Sequence, residues 1–265
     1  MFDIIIPAYN CTKTLDRTLA SLVAQIDKNF KVTIVDDCST EPLKPIIKKY
    51  RGQLDINHIR NPKNLGCGMS RQVGIDNTYC DFFTFLDADD VFMPYTAEVF
   101  NNIIEHKPYI KFLQSQFYQQ EGEGIPLKLV ERGMTYCHGK LYNREAIEYY
   151  GIKNSPLVKW HDDSFFNSMC LELLPLEILD MPMMIWTYNG ESVTHKKDAE
   201  RDRLTPLDFL TAMKISKDFV LQYKDVVNHL PKTLEIFKKQ HQGYSFNEEE
   251  QALLEYLSVN TKSKI

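Results

Sequence analysis

Four short strand candidates in the first third of the chain, at residues 3–6, 31–35, 55–59 and 82–86, alternate with amphipathic stretches at 14–26, 43–50 and 68–77. Parallel strands need connections long enough to cross the sheet, so this alternation predicts βαβ units and a parallel α/β sheet. Leu15, Leu19, Leu22, Val23 and Ile26 recur at helical spacing and give the first amphipathic stretch one apolar face. Open sheets of this kind bind ligands at the carboxyl ends of their strands. Three of the four candidates end in polar residues, namely Ala8-Tyr9-Asn10, Asp36-Asp37 and Asp87-Ala88-Asp89-Asp90. In register, those ends converge on one crevice.

The fourth run, Phe82-Phe83-Thr84-Phe85-Leu86, stops abruptly at three carboxylates within four residues. Like charges this close resist desolvation and need water, donors or a cation nearby. Carboxylate oxygens are hard ligands suited to magnesium, calcium or manganese, which makes this strand end a candidate metal site. The competing reading is a solvated acidic turn.

Farther along, a helix is predicted from Pro94 to about residue 106, then a strand over 109–118. A turn at Glu121-Gly122-Glu123-Gly124 leads to a strand near 126–130, a hairpin added to the sheet. Residues 143–150 and 163–173 read as helices and 176–185 as extended. Beyond Lys196 the pattern is helical over 206–223, 231–240 and 247–257. A chain of 265 residues that is 43% hydrophobic and 12% aromatic can bury a full core, as one large domain or one domain with an appendage. Its net charge of -5 offers no basic footprint for nucleic acid. Six cysteines without a CxxC pair read as reduced thiols in a cytoplasmic protein. Met1 leads straight into Phe2-Asp3-Ile4-Ile5-Ile6-Pro7, which predicts no secretory signal. No stretch reaches the roughly 18 apolar residues of a membrane span, so attachment to a bilayer would be peripheral.

Four motifs occur in order: Ile4-Ile5-Ile6-Pro7-Ala8-Tyr9-Asn10; Ile34-Val35-Asp36-Asp37-Cys38-Ser39-Thr40; Asn64-Leu65-Gly66 with Ser70-Arg71; and Phe85-Leu86-Asp87-Ala88-Asp89-Asp90. Two more follow, Gly139-Lys140-Leu141-Tyr142-Asn143-Arg144-Glu145 and His161-Asp162-Asp163-Ser164-Phe165-Phe166. Together they resemble the family 2 glycosyltransferases of the GT-A fold. The resemblance implies an α/β architecture, a mostly parallel Rossmann-like sheet flanked by helices, with a C-terminal helical extension. It covers residues 1–195 as a nucleotide-sugar-binding and catalytic domain. Residues 196–265 fall outside it, as a cap on the acceptor site or an oligomerisation element.

The resemblance also implies roles. Pro7, Ala8, Tyr9 and Asp37 would hold the nucleoside, with Asp37 accepting the N–H of a uracil ring, and Arg71 would stand near the nucleotide. The Asp-x-Asp motif is Asp87 and Asp89. Asp89 would ligate Mn2+ or Mg2+ across the diphosphate, while Asp87 hydrogen-bonds ribose or joins the metal shell. Asp90 reads as a cap for the following turn. An acceptor hydroxyl needs a general base. Asp163 matches the second acid of the family's Glu-Asp motif, Asp162 being the alternative. His195 would complete the metal shell in the segment that closes over the donor. His138 and Trp160 are candidates for lining the sugar or acceptor pocket.

The implied activity is inverting, metal-dependent transfer from a nucleotide sugar, a UDP-sugar first, to a surface polysaccharide or glycolipid. A protein or a hydroxylated nucleic-acid base is an alternative acceptor, and a non-catalytic nucleotide-sugar-binding module is the rival function. Asp163 argues against the rival. A dinucleotide enzyme would need Gly-x-Gly-x-x-Gly after the first strand, where this chain has Pro7-Ala8-Tyr9-Asn10.

Overall fold

The computed structural model describes residues 1–133, 135–188 and 199–259. Its first half runs β1 (Phe2–Ala8), α1 (Leu15–Val23), β2 (Phe30–Asp36), α2 (Lys44–Tyr50), β3 (Ile56–Arg60), α3 (Cys67–Asp76) and β4 (Phe82–Phe85). There follow β5 (Val91–Phe92), α4 (Thr96–His106), β6 (Phe112–Gln119), β7 (Lys128–Val130), β8 (Lys140–Asn143), α5 (Arg144–Tyr150), α6 (Asp162–Leu173) and β9 (Leu176–Trp186). Three helices complete the described chain: α7 (Ala199–Val220), α8 (Leu230–Gln240) and α9 (Glu248–Ser258).

The strands form one sheet in the order β3-β2-β1-β4-β8-β6-β9-β5, with β7 on β6. β1 to β4 pair in parallel, as the alternation predicts. Beyond β4 the sheet is mixed: β8 is antiparallel to both β4 and β6, β7 is antiparallel to β6, β9 is parallel to β6, and β5 is antiparallel to β9. The predicted hairpin is β6 with β7. All seven residues of β1 are buried, as expected of a central strand covered on both faces.

Alternation along the strands divides the core into two layers. Ile4 and Ile6 face a cluster with Leu15, Leu19 and Phe100, so α1 and α4 cover that side. Ile5, Phe83 and Phe85 face the other, with Ile75, Tyr142 and Phe166. α3 lies so close to β1 that a Cβ on Gly74 would overlap the Ile5 side chain. The second cluster continues without a break through α6 into Phe209, Leu210 and Met213 of α7, Leu234 and Phe237 of α8, and Leu254 and Leu257 of α9. The boundary expected at residue 195 lies outside the described residues, and the helices beyond it share the core of the sheet.

Local signals explain several ends. Asn143 caps α5 by accepting from the Ala146 amide at 2.9 Å, and Gly151 closes that helix with φ 67°. Asn247 and Glu250 form a capping box on α9, which satisfies two orphan donors. Among the described residues no helix is long and apolar enough to cross a membrane. All six cysteines are free.

Candidate active site

The register brings the polar strand ends together. Ala8 lies opposite Asp36, the Asp37 amide donates to the Ala8 carbonyl at 2.8 Å, and the Leu86 amide to the Ile5 carbonyl at 3.0 Å. Just past β1 and β2 the backbone turns sharply, with Asn10 at φ 49° and Cys38 at φ 63°. Asn10 holds the two turns together: its amide donates to Ser39 Oγ at 3.0 Å and its Oδ1 accepts from the Thr40 amide at 2.8 Å. Pro7 and Ala8 are buried within β1, whereas Tyr9 is 50% exposed.

The paired aspartates after β2 have separate partners. Asp36 accepts from the Ser39 amide at 2.8 Å and pairs with Arg60. Asp37 is buried and takes three donors at 2.8 Å each, Asn61 Nδ2 and the amides of Leu65 and Gly66. It thereby fixes the loop that opens α3. A carboxylate offers about four acceptor positions, so one is left on Asp37.

Arg71 on α3 is the hinge of the crevice. Its guanidinium donates to Asp87 Oδ1 at 2.7 Å and to Asp162 Oδ2, and it lies 5.6 Å from the centre of the Phe85 ring. It ties the end of β4 to the start of α6. Gly68 makes that approach sterically feasible: a Cβ there would sit 2.5 Å from Asp162 Cβ and 3.2 Å from its Cγ. Burial opposes ionisation of Asp87, but the charges of Arg71 and His138 outweigh it and hold the carboxyl below its usual range. For Asp162 burial wins over Arg71 and, with Asp163 and Asp87 adding repulsion, pushes the carboxyl up to about 6.

A second cluster stands beside the first. Asp90 is fully buried, accepts from the Thr187 amide at 2.8 Å and pairs with His138 Nε2 at 3.1 Å. Its side chain therefore secures the end of β9 and the His138 ring, rather than capping the turn that follows it. His138 Nε2 is also 3.9 Å from Asp87 Oδ2, and its ring stacks on Trp186 at 4.9 Å. Burial raises Asp90 to about 7 despite His138. His138 is raised as well, because the bond to Asp90 offsets the burial of the ring. The pair keeps its proton above the pH at which a free imidazole loses one. Asp87, Asp90 and His138 present ligand atoms within 4.8 Å of one another. Asp89 is not in that trio. It is half-buried, and its carbonyl accepts from Arg17 at 2.7 Å.

Asp162 and Asp163 open α6, where acidic residues complement the helix dipole. Asp162 is buried against Arg71, while Asp163 is partly exposed and accepts from the Ser164 amide at 2.7 Å. Of the two, Asp163 is the carboxylate a ligand can reach. His195 lies outside the described residues. The Trp160 amide donates to Asp208 of α7 at 3.0 Å, and Lys159 Nζ lies 4.8 Å from the centre of its ring. The sequence marks Asp90 and His138 but not their pairing, and it marks neither the role of Gly68 nor Asp208. The clearest hint was His138 directly before Gly139, whose φ of 65° turns the chain into β8.

The model of glycosyl transferase family 2 matches residues 3–171. An uncharacterised glycosyltransferase of Haemophilus influenzae is 39% identical over 136 residues, 51% of this chain and 42% of its own length. Poly(ribitol-phosphate) beta-N-acetylglucosaminyltransferase TarS of Staphylococcus aureus is 36% identical over 92 residues, 34% of this chain and 16% of that protein. The chain thus spans less than half the length of these curated relatives. Among solved structures, S. aureus TarS 1–349 with UDP superposes with a TM-score of 0.70 at 22% identity, covering 94% of this chain and 76% of that one. The same piece with UDP-GlcNAc gives 0.73 at 22% identity, covering 97% and 79%. At such identities the likeness shows the fold, and it extends over the C-terminal helices.

Proposed function

The chain belongs to glycosyl transferase family 2, and from that membership we propose that it is an inverting, metal-dependent glycosyltransferase moving a sugar from a UDP-sugar to an acceptor hydroxyl. The observation that carries this reading is the Arg71 bridge. It sets the Asp87 strand end against the first turn of α6, so that Asp163 stands accessible next to the carboxylates that would serve the donor.

In the nucleotide part, the exposed Tyr9 ring is free to lie against a base beside Pro7 and Ala8, and the remaining acceptor position of Asp37 suits a uracil N–H. Arg71 keeps Asp87 ionised beneath the diphosphate. Asp87, Asp90 and His138 together offer carboxylate oxygens and an imidazole that fit a hard divalent cation, and Asp89 follows two residues after Asp87 at the same strand end. Asp89 and Asp87 would hold Mn2+ or Mg2+, which when bound stabilises the charge of the departing UDP. His195 remains our proposed third ligand.

Asp163 takes the proton of the acceptor oxygen, which attacks the anomeric carbon from the face opposite the diphosphate. The C1–O bond to UDP breaks as the new one forms, so the configuration inverts. Asp162, buried and paired with Arg71, is suited to holding geometry more than to exchanging protons with an acceptor. The TarS complexes with UDP and UDP-GlcNAc support a UDP-sugar donor. The acceptor we propose is a surface polysaccharide or glycolipid.

The test is a panel of UDP-, GDP- and TDP-sugars, UDP-GlcNAc first, assayed for Mn2+-dependent hydrolysis. Asp163→Asn should reduce turnover by about two orders of magnitude or more, the usual share of a general base, while UDP binding persists. No turnover or binding with any sugar nucleotide would overturn the function, and a fully active Asp163→Asn would overturn the base.

A further inference from the structure

The N-terminus of α6 takes no capping bond from the residue before it, and inside the first turn the Ser164 amide is met by Asp163 Oδ1 at 2.7 Å. The N-cap residue is His161, whose side chain makes no capping bond. The loop that leads into the helix is instead held by a side chain 47 residues beyond His161. Asp208 on α7 extends its carboxylate into the loop before α6. Oδ1 accepts from the Lys159 amide at 2.8 Å, and Oδ2 from the Trp160 amide at 3.0 Å and the His161 amide at 3.1 Å. The fourth partner is His161 Nδ1 at 3.0 Å, so that nitrogen carries the proton. Three successive backbone N–H groups converging on one anion form a nest. Here the anion is supplied by the protein itself.

We propose that Asp208 is the positioning residue for the general base: it fixes the backbone of 159–161, and through it the point at which α6 begins and the direction in which Asp163 faces. This rests on the reading of Asp163 given above. Four observations support it. The carboxylate is buried, and among the described residues its hydrogen bonds go to the loop delivering Asp162 and Asp163. Although burial opposes ionisation, the bonds from His161, Lys159 and Trp160 keep Asp208 below its usual range, so the charge is present at neutral pH. The His161 ring is held edge-on to Phe209 at 5.3 Å, and Phe209 stacks on Phe237 of α8 at 4.4 Å, so the His161 side of the clasp is packed against α7 and α8. On the far side of the loop, Asp162 is pinned to Arg71. The first turn of α6 is thus fixed from the donor crevice by Arg71 and from the C-terminal helices by Asp208.

A clasp that only glued α7 to the loop would matter for stability alone. A positioning residue affects turnover, because a displacement of about 1 Å in a reacting group costs about a hundredfold in rate. Asp208→Asn preserves shape but removes the charge and turns an N–H toward donors that need an acceptor. Leu257→Ala, in the same core but remote from the loop, serves as the stability control. Each variant, with wild type and Asp163→Asn, is compared by kcat and KM for UDP-GlcNAc hydrolysis with MnCl2, by UDP binding in calorimetry, and by Tm.

The expected result is a kcat for Asp208→Asn lowered at least tenfold, with KM and UDP affinity within twofold of wild type, and a Leu257→Ala enzyme with lowered Tm and unchanged kcat. Wild-type kcat in Asp208→Asn would overturn the proposal, as would parallel loss of kcat, UDP affinity and Tm. If Asp163→Asn is inactive while Asp208→Asn is normal, only Asp208 loses its role. If Asp163→Asn is active, the base assignment falls and the positioning role falls with it.

Discussion

Gly68→Ala isolates the contact between α3 and α6 in a single methyl group. The added Cβ would lie 2.5 Å from Asp162 Cβ and 3.2 Å from its Cγ, against the roughly 3.5 Å at which carbon atoms rest. About 1 Å of separation has to be found. The obstacle is the root of the Asp162 side chain, which no rotamer change can swing aside, so the first turn of α6 itself must move. Overpacking of this kind costs about 1–3 kcal/mol, offset by up to about 1 kcal/mol from replacing a helical glycine. The net loss of stability is about 0–2 kcal/mol, a Tm shift of a few degrees for a chain of this size. The same 1 Å applied to Asp162 and Asp163 predicts a fall in kcat of about a hundredfold.

Gly74→Ala is the matched comparison. It lies on the same helix and its Cβ also overlaps a neighbour, but that neighbour is Ile5 in the sheet core. It should lose at least as much stability while keeping most of its turnover at temperatures where it is folded. The assay pairs urea unfolding with kcat for UDP-GlcNAc hydrolysis. The reasoning fails if Gly68→Ala turns over at the wild-type rate, or if both variants lose activity in proportion to stability.

Two further predictions concern buried charges. Asp162, raised by burial from 3.8 to about 6, binds a proton in the folded state that the unfolded chain has already lost, so stability declines as pH rises from about 4 to about 6. The difference is worth about 3 kcal/mol. Asp162→Asn lacks this decline, and its stability relative to wild type should improve by about 2 kcal/mol of that between pH 4.5 and 7.5 in urea titrations; parallel profiles would refute it. Lys140 is fully buried beside Gln114 and the Gly133 carbonyl, and burial lowers it from 10.5 to about 7. Here the unfolded chain binds the extra proton, so stability should rise between pH 7 and 10.5 by about 5 kcal/mol. Lys140→Met should abolish that rise, and an unchanged slope would show that the amine is not titrating there.

What was legible in the sequence follows the range of the interactions. β1, β2 and β4 are apolar runs buried on both faces, so periodicity and length identify them to within a residue or two. α1 ends at Val23 rather than at residue 26, because Ala24 already serves as its C-cap. β8 was missed, since four residues flanked by antiparallel neighbours more than 25 positions away leave no local pattern. α7 begins seven residues before Pro206, the expected start. Proline favours the first helical turn, yet here it lies inside the helix. In the site, motif order identified the carboxylates but not their partners. Arg71 reaches Asp162 across 91 residues and Asp90 reaches Thr187 across 97, distances at which spacing carries no information. Asp37 shows the difference most clearly: the motif marks it for a nucleoside, and the fold also uses it to hold the loop before α3.

The continuous core from Ile5 to Leu257 has a consequence for how the protein comes into being. Synthesis proceeds from the N-terminus, and domains begin to fold as they emerge. A nascent chain that has reached the end of α6 already contains both halves of the Asp-x-Asp motif, the Arg71 bridge and Asp163. It lacks the carboxylate that sets the loop before α6 and the helices that bury Phe165 and Phe166 with α7. The final assembly of the crevice therefore waits on the docking of α7 and α8, so that, on the proposed function, a partly made chain engages a donor before its base is fixed.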